Sequence, residues 1–150
     1  MNRLLKVAIS LGAFGGLALY AQGVNSADAN HLEQAKVMSE YKGVKLGLKR
    51  DAVKTAMGNP ANSNDTSDEF NLPGDDTMTV HYENGEVKAI QIAIHDPKNA
   101  PPWKDVVGDA EVSELANGAK TARKTMEAEK FWVSIYQTKD MTITRITISR

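Results

Sequence analysis

Met78-Thr79-Val80-His81-Tyr82 and Val87-Lys88-Ala89-Ile90-Gln91-Ile92-Ala93-Ile94 stand on either side of Asn84-Gly85. Asn-Gly between two alternating apolar runs is a strong hairpin signal, because both residues accept the positive φ of a tight turn. The apolar positions are Met78, Val80 and Tyr82 on one run and Ile90, Ile92 and Ile94 on the other. Side-chain parity limits the turn between them. A two-residue loop pairs odd positions with even ones and leaves apolar side chains on both faces. An odd-length loop with Gly85 in the left-handed region gathers all six on one face and puts Thr79, His81, Ala89 and Gln91 on the other. The parity therefore predicts an odd loop in an antiparallel sheet that buries one face.

Upstream, Leu48, Ala52, Val53, Ala56 and Met57 recur at helical spacing, Gly58 supplies a left-handed stop, and Pro60 forbids continuation. This predicts a short helix within residues 47–60 with one buried stripe. Asn30-His31-Leu32-Glu33 has the form of a helix start, with Asn30 capping and Glu33 reaching back, for a helix to about Ser39. Residues 62–76 are rich in Asn, Asp, Ser and Gly around Phe70 and Leu72, and read as a mobile loop holding one short strand.

Downstream, Pro97, Pro101 and Pro102 mark a rigid connection over residues 95–103, with Trp103 as its anchor on the core. The order of elements then recurs. Val112 and Leu115 predict a helix over residues 109–116, residues 121–128 read as extended, and residues 131–136 and 141–148 form a final hairpin. Ile90-Gln91-Ile92 matches Ile146-Thr147-Ile148 at an offset of 56, and Val53 matches Val112 at an offset of 59. The expected fold is α+β, with short helices packed on one face of a mainly antiparallel sheet. It forms one compact domain or two tandem αβββ units, residues 30–96 and a degenerate second copy over 97–150.

A chain of 150 residues, 41% hydrophobic and 25% charged, has the length and balance of one globular domain or two very small ones. Residues 1–29 read as a signal peptide. Arg3 and Lys6 precede an uncharged run over residues 7–21, too short to span a bilayer comfortably, and Ala27-Asp28-Ala29 supplies a small-x-small cleavage pattern. Ala21-Gln22-Gly23 is a second choice. The expected location is the periplasm or the exterior, with no stable membrane span after leader removal. Net charge is −1, and removing Arg3, Lys6 and Asp28 leaves 16 basic against 18 acidic residues. That balance argues against generic nucleic-acid binding. Without cysteine the chain has no disulfide, no thiolate nucleophile, no Cys-ligated metal and no site for lipidation.

Gly47-Leu48-Lys49-Arg50-Asp51-Ala52-Val53 through Met57-Gly58-Asn59-Pro60, then a strand ending in Tyr82, then Asn84-Gly85-Glu86-Val87 and Ile90, resembles the SmpA/OmlA or BamE-like family of small bacterial envelope proteins. The resemblance covers residues 42–94. It implies an αβββ unit, and the beta-lactamase inhibitory protein fold looks like two such units in tandem. It also implies a cell-envelope protein that works by binding. The family's lipid-anchoring cysteine is missing here, and the matching positions are structural ones, so no binding residue is carried over.

Candidate chemistry is sparse. His31, His81 and His95 fall in a helix start, a strand and a linker, without metal-ligand spacing. Asp65, Asp68, Glu69, Asp75 and Asp76 lack the glycine and terminal glutamate of a calcium loop, and read as a solvated acidic loop. No Gly-x-Ser-x-Gly or phosphate-cradling glycine motif is present. No catalytic residue, metal or cofactor is therefore assigned. The sharper feature is the last hairpin. With an even loop, Phe131, Val133 and Ile135 share a buried face with Ile146 and Ile148, and Trp132, Ser134, Tyr136, Ile143 and Arg145 lie on the other. Trp132 opposite Arg145 predicts a cation–π contact, and Trp132, Tyr136 and Arg145 are of the types that dominate protein-binding hot spots. The expected function is a non-catalytic protein-binding module, of assembly-factor or inhibitor type, with an envelope or exported protein as partner. The alternatives are an envelope stability factor binding lipid or peptidoglycan, and a small hydrolase whose acid pair or Ser/His pair converges in the fold.

Overall fold

The computed structural model describes residues 36–150, and in it the alternation around Asn84-Gly85 becomes one buried sheet face. Two short strands come first, β1 (Glu40–Tyr41) and β2 (Val44–Lys45), then helix α1 (Arg50–Met57). The first half continues through β3 (Asn62–Ser63), β4 (Ser67–Asn71), β5 (Thr77–Glu83) and β6 (Glu86–Ile94). The second half has α2 (Trp103–Val107), then β7 (Ser113–Glu114), β8 (Lys120–Met126), β9 (Phe131–Gln137) and β10 (Thr144–Ser149). Each half is thus a short helix, a two-residue strand and a three-strand meander.

β3 to β10 form one antiparallel sheet in the order β3-β4-β5-β6-β10-β9-β8-β7. The last strand of each half pairs with the other at the centre. Ile90 lies opposite Ile148, Gln91 opposite Thr147 and Ile92 opposite Ile146. The two matched triplets therefore pair with each other, and the approximate two-fold axis passes by Gln91 and Thr147. The other match in the sequence does not correspond. Val53 lies in α1, and its counterparts in layout are Val106 and Val107 of α2, not Val112.

Met78, Val80, Ile90, Ile92, Val133, Ile135, Ile146 and Ile148 are all essentially inaccessible on the same sheet face. Val53, Val106 and Val107 belong to that cluster, so both helices lie on this side, with Leu48, Met57 and Trp103 packed at its margin. Burying an Ile or Met of this size contributes roughly 1.5–3 kcal/mol, and the row of such residues is what holds the helices to the sheet.

The six residues share one face as the parity predicts, but not through an odd loop. The turn is a two-residue loop, Glu83 opposite Glu86, with φ of 54° at Asn84 and 75° at Gly85. One extra residue on β6 then restores the parity. Tyr82 pairs with Val87 but His81 pairs with Ala89, so Lys88 is the bulge. Val87 is buried on one side of it and Ile90, Ile92 and Ile94 on the other, all facing the core. The segment before α1 braces this corner: Gly47 N–H donates to Val87 C=O (2.8 Å), Val87 N–H to Leu48 C=O (2.9 Å) and Arg50 N–H to Gly85 C=O (3.1 Å).

Three predicted elements differ. Residues 30–35 lie outside the described residues, and residues 36–39 are not helical. The helix expected over residues 109–116 falls earlier, because Pro102 starts α2 and Gly108, with φ of 62°, ends it. Val112 and Leu115 are then left 45% and 41% exposed around β7. Residues 62–76 hold two strands in place of one. In α1, Ala56 is exposed and Val53 carries the buried contact, while Gly58 stops the helix as expected, at φ of 82°.

Deleting Lys88 should abolish the cooperative thermal transition followed by circular dichroism, because it turns either Val87 or the three isoleucines to the wrong face. Lys88→Ala should shift stability by no more than about 0.5 kcal/mol, since it removes only the exposed ion pair with Glu83.

Candidate functional site

Two of the loop acids, Asp68 and Asp76, are buried, not solvated as expected. Asp68 is fully buried on the core face of β4, and burial of an unpaired carboxylate is too costly to persist. It is paired on every side. The Arg50 guanidinium donates twice, Nε to Oδ2 at 3.0 Å and Nη2 to Oδ1 at 2.5 Å; Tyr82 donates its hydroxyl at 3.0 Å and Ser63 at 2.6 Å. Arg50 also reaches the carbonyls of Asn64 and Asp65 and stacks over Tyr82 at 4.8 Å. The loop expected to be mobile is therefore pinned to the first turn of α1. Asp76, also buried, accepts from His95 N–H at 2.7 Å and from Asn99 at 3.1 Å, fastening the proline-rich connection.

Burial alone would raise the Asp68 carboxyl, but the hydrogen bonds from Arg50, Ser63 and Tyr82 hold it down at about 2. Burial and the Asp68 charge together push the Tyr82 phenol up from its usual value. This constellation has no open coordination or nucleophilic position, and its chemistry is that of a structural clamp. Among the described residues no three His, Asp or Glu side chains converge to hold a metal ion.

The opposite sheet face is different in kind. Successive rows cross it from β5 to β8. One contains Thr77, Ala93, Arg145, Tyr136 and Thr121; the next Thr79, Gln91, Thr147, Ser134 and Arg123; the third His81, Ala89, Ser149, Trp132 and Thr125. Among the described residues neither helix lies on it. Trp132 and Tyr136 are half-buried here and stand apart from the core. The even loop of the last hairpin is as expected, with Gln137 opposite Thr144 and Phe131, Val133 and Ile135 inward.

The pairing around Trp132 is not as expected. Arg145 lies opposite Tyr136, and Trp132 lies opposite Ser149 and Thr125. The cation over the Trp132 ring is Arg123, at 4.0 Å from the ring centre. Sequence reasoning missed Arg123. Its signal was parity again: with four residues between Met126 and Phe131, odd positions of β8 share the face of Trp132. Two hollows flank the aromatic strand. One of about 350 Å³ lies over the β6–β10 seam between Thr77, Thr79, Gln91, Arg145 and Thr147; one of about 550 Å³ opens beside Tyr136, between Asn117, Thr138, Lys139, Asp140 and Thr142.

Of the histidines, His31 lies outside the described residues and His95 sits past the end of β6. His81 stands opposite Ser67, yet no hydrogen bond joins them, and its Nε2 is buried without a partner.

Because the Asp68 carboxyl is depressed in the folded chain, its contribution to stability is complete above the ordinary 3.8 and is lost as pH falls toward about 2. Asp68→Asn should cost about 3 kcal/mol at neutral pH, and the gap in Tm between it and the wild type should narrow as pH falls through that window. Thermal unfolding over a pH series measures both.

Comparison of the chain with protein-family models, curated proteins and solved structures finds no match.

Proposed function

We propose that this chain is an exported, non-catalytic protein-binding module that engages an envelope or exported protein through the open face of its sheet. The observation that carries the reading is the placement of Trp132 and Tyr136. Large aromatic side chains stand two rows apart on a polar, hydroxyl-rich face, while the apolar residues Phe131, Val133 and Ile135 of the same strand are turned into the core. An antiparallel sheet with its helices on one side has its other side available for a partner. Trp, Tyr and Arg together supply rigid contact area with polar reach, the composition that carries most of the energy in protein interfaces. The leader read at residues 1–29 supports export, and the resemblance to envelope αβββ proteins supports a binding role without a cofactor.

One observation favours a second reading, a small hydrolase: Ser67 and His81 face each other across β4 and β5. The missing hydrogen bond and the absence of an acid beside His81 in its row weigh against it.

Affinity capture with the leader-free chain from its own periplasmic extract tests the proposal. A single enriched protein should disappear when Trp132→Ala or Tyr136→Ala, both still folded, is the bait; each truncation at a hot spot costs about 2 kcal/mol or more. Capture unaffected by both substitutions contradicts the proposal, and ester hydrolysis lost in Ser67→Ala establishes the rival. Enrichment of lipid or peptidoglycan in place of a protein supports the stability-factor reading instead.

A further inference from the structure

Resting on the open-face reading above, we infer that the partner presents an acidic segment, with carboxylates seated against Arg123 and Arg145. The Arg123 guanidinium is placed by an aromatic neighbour on β9, and Arg145 lies in register beside a second aromatic of the same strand. Arg123 stacks on Trp132 at 4.0 Å, and Arg145 stands directly across from Tyr136. Stacking occupies the flat face of a guanidinium and leaves its in-plane N–H groups free to grip a carboxylate two at a time.

The ion pairs among the described residues join Lys49 to Glu86, Arg50 to Asp68, Lys88 to Glu83 and Lys124 to Asp109. Neither Arg123 nor Arg145 is in that set. The acids in the rows of the open face lie on the first half of the sheet and are engaged there: Glu69 on β4 accepts from Asn62 at 2.8 Å, and Glu83 and Glu86 at the β5–β6 turn pair with Lys88 and Lys49. The second half of this face is therefore locally positive on a chain whose net charge is −1. Such a local excess selects a complementary surface and speeds encounter, where the whole molecule would not attract an anion.

The spacing narrows the occupant further. Arg123 and Arg145 are two strands and one row apart, which standard strand geometry places at about 12 Å between backbones. Carboxylates four residues apart on an extended segment are separated by about 13 Å and match that span. Thr121, Thr147 and Ser134 lie between and beside the two arginines, where their hydroxyls can meet the backbone of such a segment.

Trp132 reports on the site in a Trp103→Phe background, since the chain has two tryptophans. The probe is poly-L-glutamate, titrated at low salt and followed by Trp132 fluorescence. Saturable binding is expected, weakened about tenfold or more in R123Q/R145Q and in the same direction by R145Q alone, which leaves the Trp132 stack in place. K54Q/K104Q, on the helix side, should change it less than about twofold. No binding of poly-L-glutamate, or equal binding by R123Q/R145Q, overturns the inference. Preference for polyphosphate or for phosphatidylglycerol vesicles also overturns it. The two readings fail separately. A captured protein that is lost with Trp132→Ala yet ignores about 0.5 M salt and the arginine substitutions refutes the acidic partner alone. Capture untouched by Trp132→Ala refutes the open-face reading itself.

Discussion

The pairing of β6 with β10 is the interaction on which the rest of the structure depends. Every other pairing in the large sheet joins strands that follow one another in the chain, whereas this one joins residues 89–94 to residues 144–149. Local hairpins are cheap to close but marginal alone. Joining the two meanders through Ile90, Ile92, Ile146 and Ile148 doubles the width of the apolar face and gives both helices one surface to cover. It also places Gln91 and Thr147 back to back with the core, at the middle of the open face.

Two buried carboxylates, Asp68 and Asp76, are satisfied within the fold. Asp68 faces the core, where Arg50, Ser63 and Tyr82 satisfy it, and Asp76 is satisfied by the backbone and side chain of the connection. A charge held this way contributes less net stability than its contacts suggest, because desolvation offsets the attraction. Its consequence is specificity of arrangement: Arg50 ties the first turn of α1 to the β3–β4 loop, and the narrow edge of the sheet is closed without exposing a long unpaired strand.

Much of this was legible in the sequence, and the failures have physical causes. Alternation and Asn84-Gly85 revealed the central hairpin and its buried face, but a bulge carries no letter of its own, so Lys88 looked like any exposed strand lysine. The match of Ile90-Gln91-Ile92 with Ile146-Thr147-Ile148 pointed to a repeat, but that the two triplets pair with each other at the seam is visible only in the sheet order. The second helix was misplaced because Val112 and Leu115 have helical spacing, whereas Trp103, Val106 and Val107 follow three prolines that suggested only a linker. Trp103 was nonetheless expected on the core and packs at its margin. Asp68 looked solvated because its partners Arg50 and Tyr82 lie 18 and 14 residues away. Trp132, Tyr136 and Arg145 were assigned to one face and share it, while Arg123, one strand further out, needed the register of β8 and β9 to be found.

A partner that covers the open face lies over the strand that carries Trp132 and Tyr136. Ser134 lies midway between them in that strand and is small enough to replace with a photo-crosslinking amino acid. Lys104, exposed on α2, is the matching position on the helix side. Irradiating cells that produce each variant, then resolving adducts by mass, is the most direct measurement. A discrete protein adduct is expected from position 134 and none from position 104. An adduct from position 104 with none from position 134 would contradict that placement.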